Sequence, residues 1–261
     1  MQPDTRQHLV DLLVAARCDG RQITDLPAEL VPATDAEGYA VNAMAAASLG
    51  WAPLGWKIAA TTPQMQRRLR TTEPIYGRTF QRFAVPSPAR FHHAGLLDPI
   101  VECEFFFRLG HDLPPRQARY GRGEIVDAVA AVHAGVEVAE CRFPLDRLPP
   151  MPAILADGAA SGRYVIGDAF VDWRSCDFAA MPVSLSVNGT ARRHGFGRDV
   201  MGDPVDALVW LANARSAFGC GLKRGELIST GTATGMLLAR PGHAMRATFG
   251  DASSVDLTFD A

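Results

Sequence analysis

The chain has 261 residues, 48% of them hydrophobic and 21% charged, and its 26 Lys and Arg residues nearly balance its 28 Asp and Glu residues. This composition is typical of a globular protein that can bury a full core without disulfides or structural metals. The length fits one large domain, or a small and a larger one. The near-neutral charge offers no basic stripe for nucleic acid, the five dispersed cysteines indicate neither a disulfide nor a zinc framework, and no run approaches the roughly 18 apolar residues of a membrane span.

The first residues, MQPDTRQHLVDLL, carry Asp4 and lack an uninterrupted apolar core followed by a small-residue cleavage site. We therefore expect no signal peptide, and we expect a cytoplasmic protein whose partners include neither nucleic acid nor membrane.

The N-terminal part of the chain is predicted to be helical. Residues 4–17 and 35–49 are rich in Ala and Leu at helical spacing, and Gly50 is a helix stop. We expect residues 1–50 to be a helical section packed on a body formed by residues 51–261, rather than an independent unit.

The body is predicted to be dominated by strands with a few covering helices. A helix is expected over 62–70, where Thr62 can cap and Pro63 suits the first turn, and another over 202–219 with Asp203 as cap. A third is expected over 123–135, leading into a strand at 136–141. Further strands are expected at 101–110, 164–168, 183–190, 226–238 and 244–250, with Asn188-Gly189 as a turn.

Carboxylates occur at unusual places in two of these strands. In VECEFFFRLG, residues 101–110, Glu102 and Glu104 are two apart and point to the same face, while Val101, Cys103 and Phe105 point to the other. Two half-buried anions side by side repel each other and resist desolvation, so a metal ion, an Arg or a Lys is expected between them.

A third acid, Glu137, lies between valines in GVEVAECRF, residues 135–143. Three carboxylates without a convergent His or Cys describe a site for a hard cation such as Mg²⁺ or Mn²⁺. The alternative is that Glu102 and Glu104 line a solvated face and that Glu137 pairs with Arg142 or another base, because strands with one polar face are common in antiparallel sheets.

Seven segments, in order along the chain, resemble the 2-keto-4-pentenoate hydratase and 4-oxalocrotonate decarboxylase group of the fumarylacetoacetate hydrolase superfamily. They are GWKIAAT (55–61), EPIYG (73–77), VECEFFF (101–107), VEVAECRF (136–143), ADGAASGRYVIG (156–167), GDPVDALVWLAN (202–213) and ISTGTATG (228–235). The resemblance covers nearly the whole chain, although the first fifty residues match only in being predicted as helical.

The resemblance implies an α+β fold, with N-terminal helices on a mixed β-roll or β-sandwich body of the fumarylacetoacetate hydrolase C-terminal-domain type, in a homo-oligomer. It places Glu102, Glu104 and Glu137 on the family's metal ligands, usually for Mg²⁺ or Mn²⁺. Lys57 falls on the active-site lysine and Arg142 on the arginine after the third ligand. We expect Asp157 and Ser161 to lie near the substrate as further catalytic candidates, the alternative being a turn residue and a small packing residue. Trp56, Tyr76, Thr230 and Thr232 are expected to line the substrate pocket, with a core position as the alternative for Trp56.

The expected activity is the metal-dependent addition of water to a 2-hydroxy-2,4-dienoate, giving a 4-hydroxy-2-keto acid in the breakdown of aromatic compounds. Lys57, buried near a cation, is expected to have a lowered pKa and to shuttle a proton. The alternatives are decarboxylation of a 2-oxo-3-enedioate, C–C hydrolysis of a diketo acid with His92 or His93 as base in an exposed FHHAG loop, and a non-catalytic accessory subunit of a partner enzyme.

Four residues differ from the hydratase pattern. Ile75 and His243 stand where an acid is common, and Gly158 and Ala160 stand where Asn and Ser are common. These residues remove polar groups expected around the substrate or the attacking water, so they leave the metal site intact but the particular reaction open.

Overall fold

Two β-sheets form the body of the protein. The computed structural model describes residues 1–260; Ala261, the last residue of the predicted body, lies outside the described residues. The strands in chain order are β1 (Pro53–Ala59), β2 (Ile75–Phe80), β3 (Ala84–Pro86), β4 (Ala89–His92), β5 (Ile100–Leu109), β6 (Val129–Ala139), β7 (Arg163–Ala169), β8 (Pro182–Val187), β9 (Thr190–Phe196), β10 (Leu227–Ser229), β11 (Leu237–Leu238), β12 (Ala244–Phe249) and β13 (Ser253–Asp260).

Six α-helices accompany the sheets, and several begin at the caps that the sequence predicts. Thr62 accepts a hydrogen bond from the Met65 N–H, and Asp203 accepts one from the Val205 N–H. Gly50 ends the second helix with φ +61°. The helices are α1 (Pro3–Asp19), α2 (Asp35–Leu49), α3 (Pro63–Leu69), α4 (Arg122–Ala128), α5 (Met151–Ala156) and α6 (Pro204–Ala217).

The larger sheet has eight strands and mixed pairing, with order β2-β1-β10-β5-β6-β7-β3 and β11 added beside β5. The smaller sheet has five strands, in the order β4-β13-β12-β8-β9. The long strands β5 and β6 pair antiparallel over nearly their whole length, and this pairing sets Glu102 directly opposite Glu137.

The two faces of β5 have different environments. Val101, Cys103, Phe105 and Phe107 are fully buried in the main core, which they share with residues of the smaller sheet such as Phe249. The alternating residues, including both glutamates, therefore face away from the smaller sheet. This outer face of the larger sheet is where the candidate site lies.

The N-terminal helices share a core with the body. Leu9 and Leu13 of α1 and Val41 of α2 cluster with Phe143 and with Ala153 of α5. A neighbouring cluster joins α5 and the loop that follows it to the end of β1 and the start of β2. These contacts bring α1 and α5 close to the outer face of the larger sheet.

The prediction of a helix over 123–135 was wrong in its second half. The helix α4 ends at Ala128, and Val129 begins the strand β6. The run AVAAVHAG is apolar except for His133 and fits a helix or a buried strand equally well by pattern. Pairing with β5 and β7 on both sides decides for the strand, because tertiary contacts override the helical propensity of its alanines.

Two smaller expectations also need correction. The segment 226–238 forms two short strands, β10 and β11, separated by a loop rather than one long strand. The predicted FHHAG loop is partly strand, because His92 ends β4 and pairs with Asp260 of β13. Among residues 1–260, no helix is both long enough and apolar enough to cross a bilayer.

Candidate metal centre and active site

Five neighbouring strands of the larger sheet each place at least one polar side chain on its outer face. Lys57 of β1 pairs with Ser229 of β10, and Glu137 of β6 pairs with Glu102 of β5 on one side and Tyr164 of β7 on the other. Glu104 lies two residues beyond Glu102 on the same face. The expected convergence of the acids is what the structure shows: one carboxylate oxygen from each of Glu102, Glu104 and Glu137 lies within 4.8 Å of the other two.

Each carboxylate has different support. Glu104 accepts hydrogen bonds from the Ser229 hydroxyl and, at 2.9 Å, from the Gly231 N–H. Glu137 accepts a hydrogen bond of 3.0 Å from the Tyr164 hydroxyl on Oε1, and its Oε2 lies 3.2 Å from Lys57 Nζ. Glu102 is only partly buried, so this side of the site is open.

Burial and mutual repulsion shape the ionisation of the three acids. Loss of water raises the pKa of Glu102 to about 7, although Lys57 lowers it and Glu137 raises it further. Loss of water also raises the pKa of Glu104 well above its usual range, and Glu137 and Glu102 add to the effect. The pKa of Glu137 is raised as well, mainly by burial. If all three acids were ionised, their negative charge would exceed what Lys57 alone compensates, and the raised pKa values mean that the cluster retains protons instead.

The residues present fit a hard divalent cation. All three side chains offer carboxylate oxygens, which Mg²⁺ and related ions prefer. Glu137 Oε2 is buried and, despite its closeness to Lys57, no residue in 1–260 gives it a hydrogen bond of good geometry. A cation between the three carboxylates would satisfy that oxygen and remove the repulsion.

Lys57 is buried at 2% exposure, and its ammonium donates a hydrogen bond of 3.0 Å to the Ala159 carbonyl. Without a cation, burial disfavours the ammonium, but attraction by Glu137, Glu102 and Glu104 outweighs it, so the pKa of Lys57 is raised. The lowered pKa was expected beside a bound cation and stays a prediction. Of the alternative pairings of Glu137, the one with Arg142 is not found, whereas Lys57 is a base that does pair with it.

Arg142 and Asp157 bind each other instead of the carboxylates. Arg142 donates to Asp157 through Nε at 2.7 Å and through its backbone N–H at 3.0 Å, and its Nη2 donates to the Ser161 carbonyl at 2.8 Å. Both side chains are buried. They hold the chain around residues 157–161, and neither side chain belongs to the carboxylate cluster.

Ser161 is connected to the carboxylate cluster through two hydroxyl groups. Its Oγ lies 3.0 Å from the Tyr164 hydroxyl, which itself donates to Glu137. Tyr164 was not among the predicted site residues. Its position in RYVIG, opposite Glu137 across two paired strands, could have identified it once the register was known.

The four predicted substrate-binding residues do not form one wall. Trp56 and Tyr76 lie on the opposite face of the sheet from Lys57, in the main core, with ring centroids 5.8 Å apart. Thr230 is fully buried and donates to the Phe105 carbonyl, and the Thr232 hydroxyl donates to the Gly235 carbonyl. The loop that carries Thr230 and Thr232 lies beside Glu104, because the Gly231 N–H between them donates to that carboxylate. The rings of Trp56 and Tyr76 pack against each other.

The residues that depart from the hydratase pattern fall in two places. Ile75 is buried in one cluster with Ala159, next to the carbonyl that Lys57 contacts. Gly158 and Ala160 belong to the same loop, whereas His243 lies in a turn where its Nδ1 accepts a hydrogen bond from the Arg240 N–H. His93 contacts the Ala239 carbonyl, and neither histidine of the FHHAG segment belongs to the carboxylate cluster.

The fold and the cluster together define a mixed α and β protein with a largely buried cluster of three carboxylates, of a kind that could hold a cation, on the outer face of its larger sheet. The chain belongs to the fumarylacetoacetate hydrolase family: residues 60–259 match the model of the fumarylacetoacetate hydrolase C-terminal domain. The resemblance inferred from the motifs is thereby confirmed, and so is the fold class.

Curated relatives and a solved structure agree with this assignment. The 2-keto-4-pentenoate hydratase of Paraburkholderia xenovorans LB400 is 29% identical over 264 residues, which cover 100% of this chain and 97% of the relative. The 2-hydroxyhexa-2,4-dienoate hydratase of Comamonas testosteroni is 31% identical over 191 residues, 72% and 71% of the two chains. The 4-oxalocrotonate decarboxylase of Pseudomonas putida G7, complexed with magnesium and adipate, superposes with a TM-score of 0.91 at 22% identity, covering 99% and 98% of the chains.

Proposed function

We propose that this protein is a metal-dependent hydratase that adds water to a 2-hydroxy-2,4-dienoate and releases a 4-hydroxy-2-keto acid. The observation that carries the choice of hydration is the match of the full chain to a protein named 2-keto-4-pentenoate hydratase, at 29% identity. The carboxylate cluster beside Lys57 supplies the chemistry that such a reaction needs.

The proposed cofactor is Mg²⁺ or Mn²⁺, held by Glu102, Glu104 and Glu137. When bound, the cation supplies positive charge that polarises the carboxylate and adjacent oxygen of a 2-keto or 2-hydroxy acid. Glu102 is the ligand nearest to solvent, and Glu104 and Glu137 are held by hydrogen bonds from neighbouring strands. The substrate is therefore expected to approach from the side of Glu102.

The reaction has two parts, and Lys57 is the group placed to move protons in both. In the first, the enol O–H proton leaves and a proton adds to the terminal carbon, so that the dienol becomes an enone. In the second, water adds across the remaining double bond, with its hydroxyl on carbon 4 and a proton on carbon 3. Lys57 Nζ, held by the Ala159 carbonyl and Glu137, is the proposed carrier of these protons.

The proposed surroundings of this activity follow the family resemblance. We infer a cytoplasmic homo-oligomer that acts in the breakdown of aromatic compounds and that can associate with a partner enzyme of the same pathway. Light scattering after size exclusion tests the subunit count. A monomeric, fully active protein would remove the oligomer from the proposal.

The experiment that tests the reaction uses two substrates with the metal-loaded protein. With 2-hydroxypenta-2,4-dienoate we expect loss of the dienol absorbance without carbon dioxide, and with a 2-oxo-3-enedioate we expect no gas. Carbon dioxide release would instead assign a decarboxylase, and no change with either substrate would favour C–C hydrolysis or an accessory role.

The two lysines of the chain provide a test variant and a matched control for the role of Lys57. Lys57→Met should lower kcat for hydration by about 100-fold or more, as is typical of losing a proton-transfer group. Lys223→Met removes the ammonium that pairs with Asp112 at the surface and should leave kcat unchanged. Equal activity of the two variants would eliminate Lys57 as the proton carrier.

A further inference from the structure

The loop between α5 and β7 places the one backbone carbonyl that Lys57 contacts. Its residues Gly158, Ala159 and Ala160 have φ angles of +80°, +54° and +58°. Left-handed backbone costs an alanine about 1–2 kcal/mol, and two alanines follow each other here. Such a conformation persists only where the surroundings hold it.

Two guanidinium groups hold this loop at both ends. Arg142 binds the Asp157 carboxylate and the Ser161 carbonyl from the side of the sheet. Arg17, from α1, donates to the Asp157 carbonyl at 2.7 Å and to the Ser161 carbonyl at 3.3 Å, and its Nη2 lies 3.4 Å from the Asp157 carboxylate. The carbonyl of Ala159, which accepts the Lys57 hydrogen bond, lies between these anchored ends.

Arg17 is placed there at an energetic cost. Its side chain is 8% exposed, and burial together with the nearby Arg142 lowers its pKa to about 10. The single carboxylate within reach, Asp157, is already bound more closely by Arg142, at 2.7 Å against 3.4 Å. What Arg17 adds is therefore the pair of hydrogen bonds to the loop carbonyls.

We propose that Arg17 is a positioning residue: by holding the Asp157 and Ser161 carbonyls it keeps the loop in the conformation in which the Ala159 carbonyl orients the Lys57 ammonium. The proposal rests on the proposed function in that Lys57 is the proton carrier there. It also gives the N-terminal helix α1 a part in the proposed active site. Arg17 itself contacts none of the three glutamates and is not proposed to contact the substrate.

The chain offers a direct probe of Lys57. It contains only two lysines, Lys57 and Lys223. In a Lys223→Arg background, protein labelled with ¹³C- and ¹⁵N-lysine has a single side-chain ammonium resonance, here called the Lys57 signal, which reports the surroundings of Lys57 Nζ without any substrate. Arg17→Met is the test variant. Arg21→Met is the matched control, since that side chain is about half exposed and pairs with exposed Asp19.

With Arg17→Met we expect the Lys57 signal to shift and its ammonium protons to exchange faster with water, whereas Arg21→Met should leave the signal as in the parent protein. In the hydration assay, Arg17→Met should lower kcat by about 10- to 100-fold, because a displacement of about 1 Å at a reacting group has an effect of this size. KM and magnesium affinity should stay nearly unchanged, and Arg17→Lys should recover part of kcat.

The proposal is overturned if folded Arg17→Met keeps the parent Lys57 signal and kcat, even if its melting temperature falls, since a purely structural arginine would affect only stability. If Arg17→Met does not fold, Arg17→Gln is the second variant: it keeps a polar side chain but is shorter and uncharged, so it cannot make both hydrogen bonds to the Asp157 and Ser161 carbonyls. The Lys57 signal must then broaden or shift, and an unchanged signal refutes the proposal. If the parent protein hydrates no dienoate but the signal responds to Arg17→Met, the proposed function fails and the positioning role stands.

Discussion

At the residue scale, the carboxylate cluster consists of three acids that are supported unequally. Glu104 and Glu137 each receive a hydrogen bond from an adjacent strand, while Glu102 faces the open side with no such donor among residues 1–260. Lys57 lies closest to Glu137. Replacing one acid by a neutral side chain should therefore cost the folded, metal-free protein little and harm only metal binding.

Substitution of Glu104 tests whether metal binding can be lost without a loss of stability. Glu104→Gln keeps an oxygen that can accept from Ser229 and Gly231, so the fold should remain and thermal stability without metal should not fall. Magnesium or manganese affinity should drop by more than about 100-fold, since even outer-shell partners of a metal are worth about 10- to 100-fold. Titration calorimetry measures the loss.

Glu124→Gln is the control for that measurement, because Glu124 is an exposed acid of α4 that pairs with Arg116. Its metal affinity should equal that of the parent protein. Unchanged affinity in Glu104→Gln would remove the carboxylate cluster as the metal site.

The raised pKa of Glu102 predicts how stability depends on pH. The folded, metal-free protein holds this proton up to about pH 7, whereas the unfolded chain releases it near its ordinary value of 4.5. Because the folded state binds more protons within this window, the free energy of unfolding should decrease as pH rises through it. Metal binding needs the ionised carboxylates, so metal affinity should increase over the same window.

Melting temperatures recorded between about pH 5 and about pH 8 check this dependence. With chelator the melting temperature should fall as pH rises, and saturating magnesium should offset the fall. In Glu102→Gln the decrease should be smaller, because one of the three titrating acids is gone. A melting temperature that rises with pH in the chelated protein would contradict the assignment.

At the element scale, the sequence predicted the strands that carry the acids better than their neighbours. Alternation in VECEFFF was enough to place Glu102 and Glu104 on one face, and caps located three of the helices. The extent of β6 was missed because an apolar, alanine-rich run has no period of its own. Only pairing on both sides determines that it is a strand.

The residues that support the three acids and the loop could not be predicted from the sequence, for a related reason. Tyr164 and Ser229 contact Glu137 and Glu104 across strand pairs whose register no local pattern encodes. Arg17 reaches the loop at Asp157 from 140 positions away along the chain. Trp56 was predicted to line the pocket, with a core position as the alternative; it precedes Lys57 in β1, and adjacent residues of a strand point to opposite faces, so it packs in the main core.

The packing of β2 against the loop gives a prediction at this scale. A Cβ added at Gly77 would lie 1.9 Å from the Gly158 carbonyl oxygen, so either the strand or the loop must move. Gly77→Ala should destabilise the protein by about 1–3 kcal/mol, as overpacking does, and should shift the Lys57 signal. Chemical denaturation measures the first effect and lysine-labelled spectra the second.

Gly123→Ala is the matched substitution, since a Cβ at this position of α4 meets nothing within 4 Å. It should leave the Lys57 signal unchanged and raise stability slightly, by up to about 1 kcal/mol, because alanine favours a helix over glycine. Equal effects of the two substitutions would show that the contact of Gly77 with the loop has no role in placing Lys57.

At the scale of the whole molecule, the question is whether residues 1–50 are a separate unit. We propose that they are not, because the buried residues of α1 and α2 share one apolar cluster with Phe143 and α5, and Arg17 binds the loop of the active site. A section that completes its core with the body's own residues should not unfold independently.

Calorimetry on the full chain tests this proposal. We expect one cooperative transition, and Leu13→Ala should shift the entire transition downward, since a buried leucine replaced by alanine costs about 2–5 kcal/mol. Leu148→Ala, at a position 41% exposed, is the control and should shift it little. If Leu13→Ala instead splits the trace into an early and an unchanged late transition, the helical section folds on its own. In that case the hydrogen bonds of Arg17 to the loop should be lost during the early transition. The Lys57 signal should then change over the same temperature range.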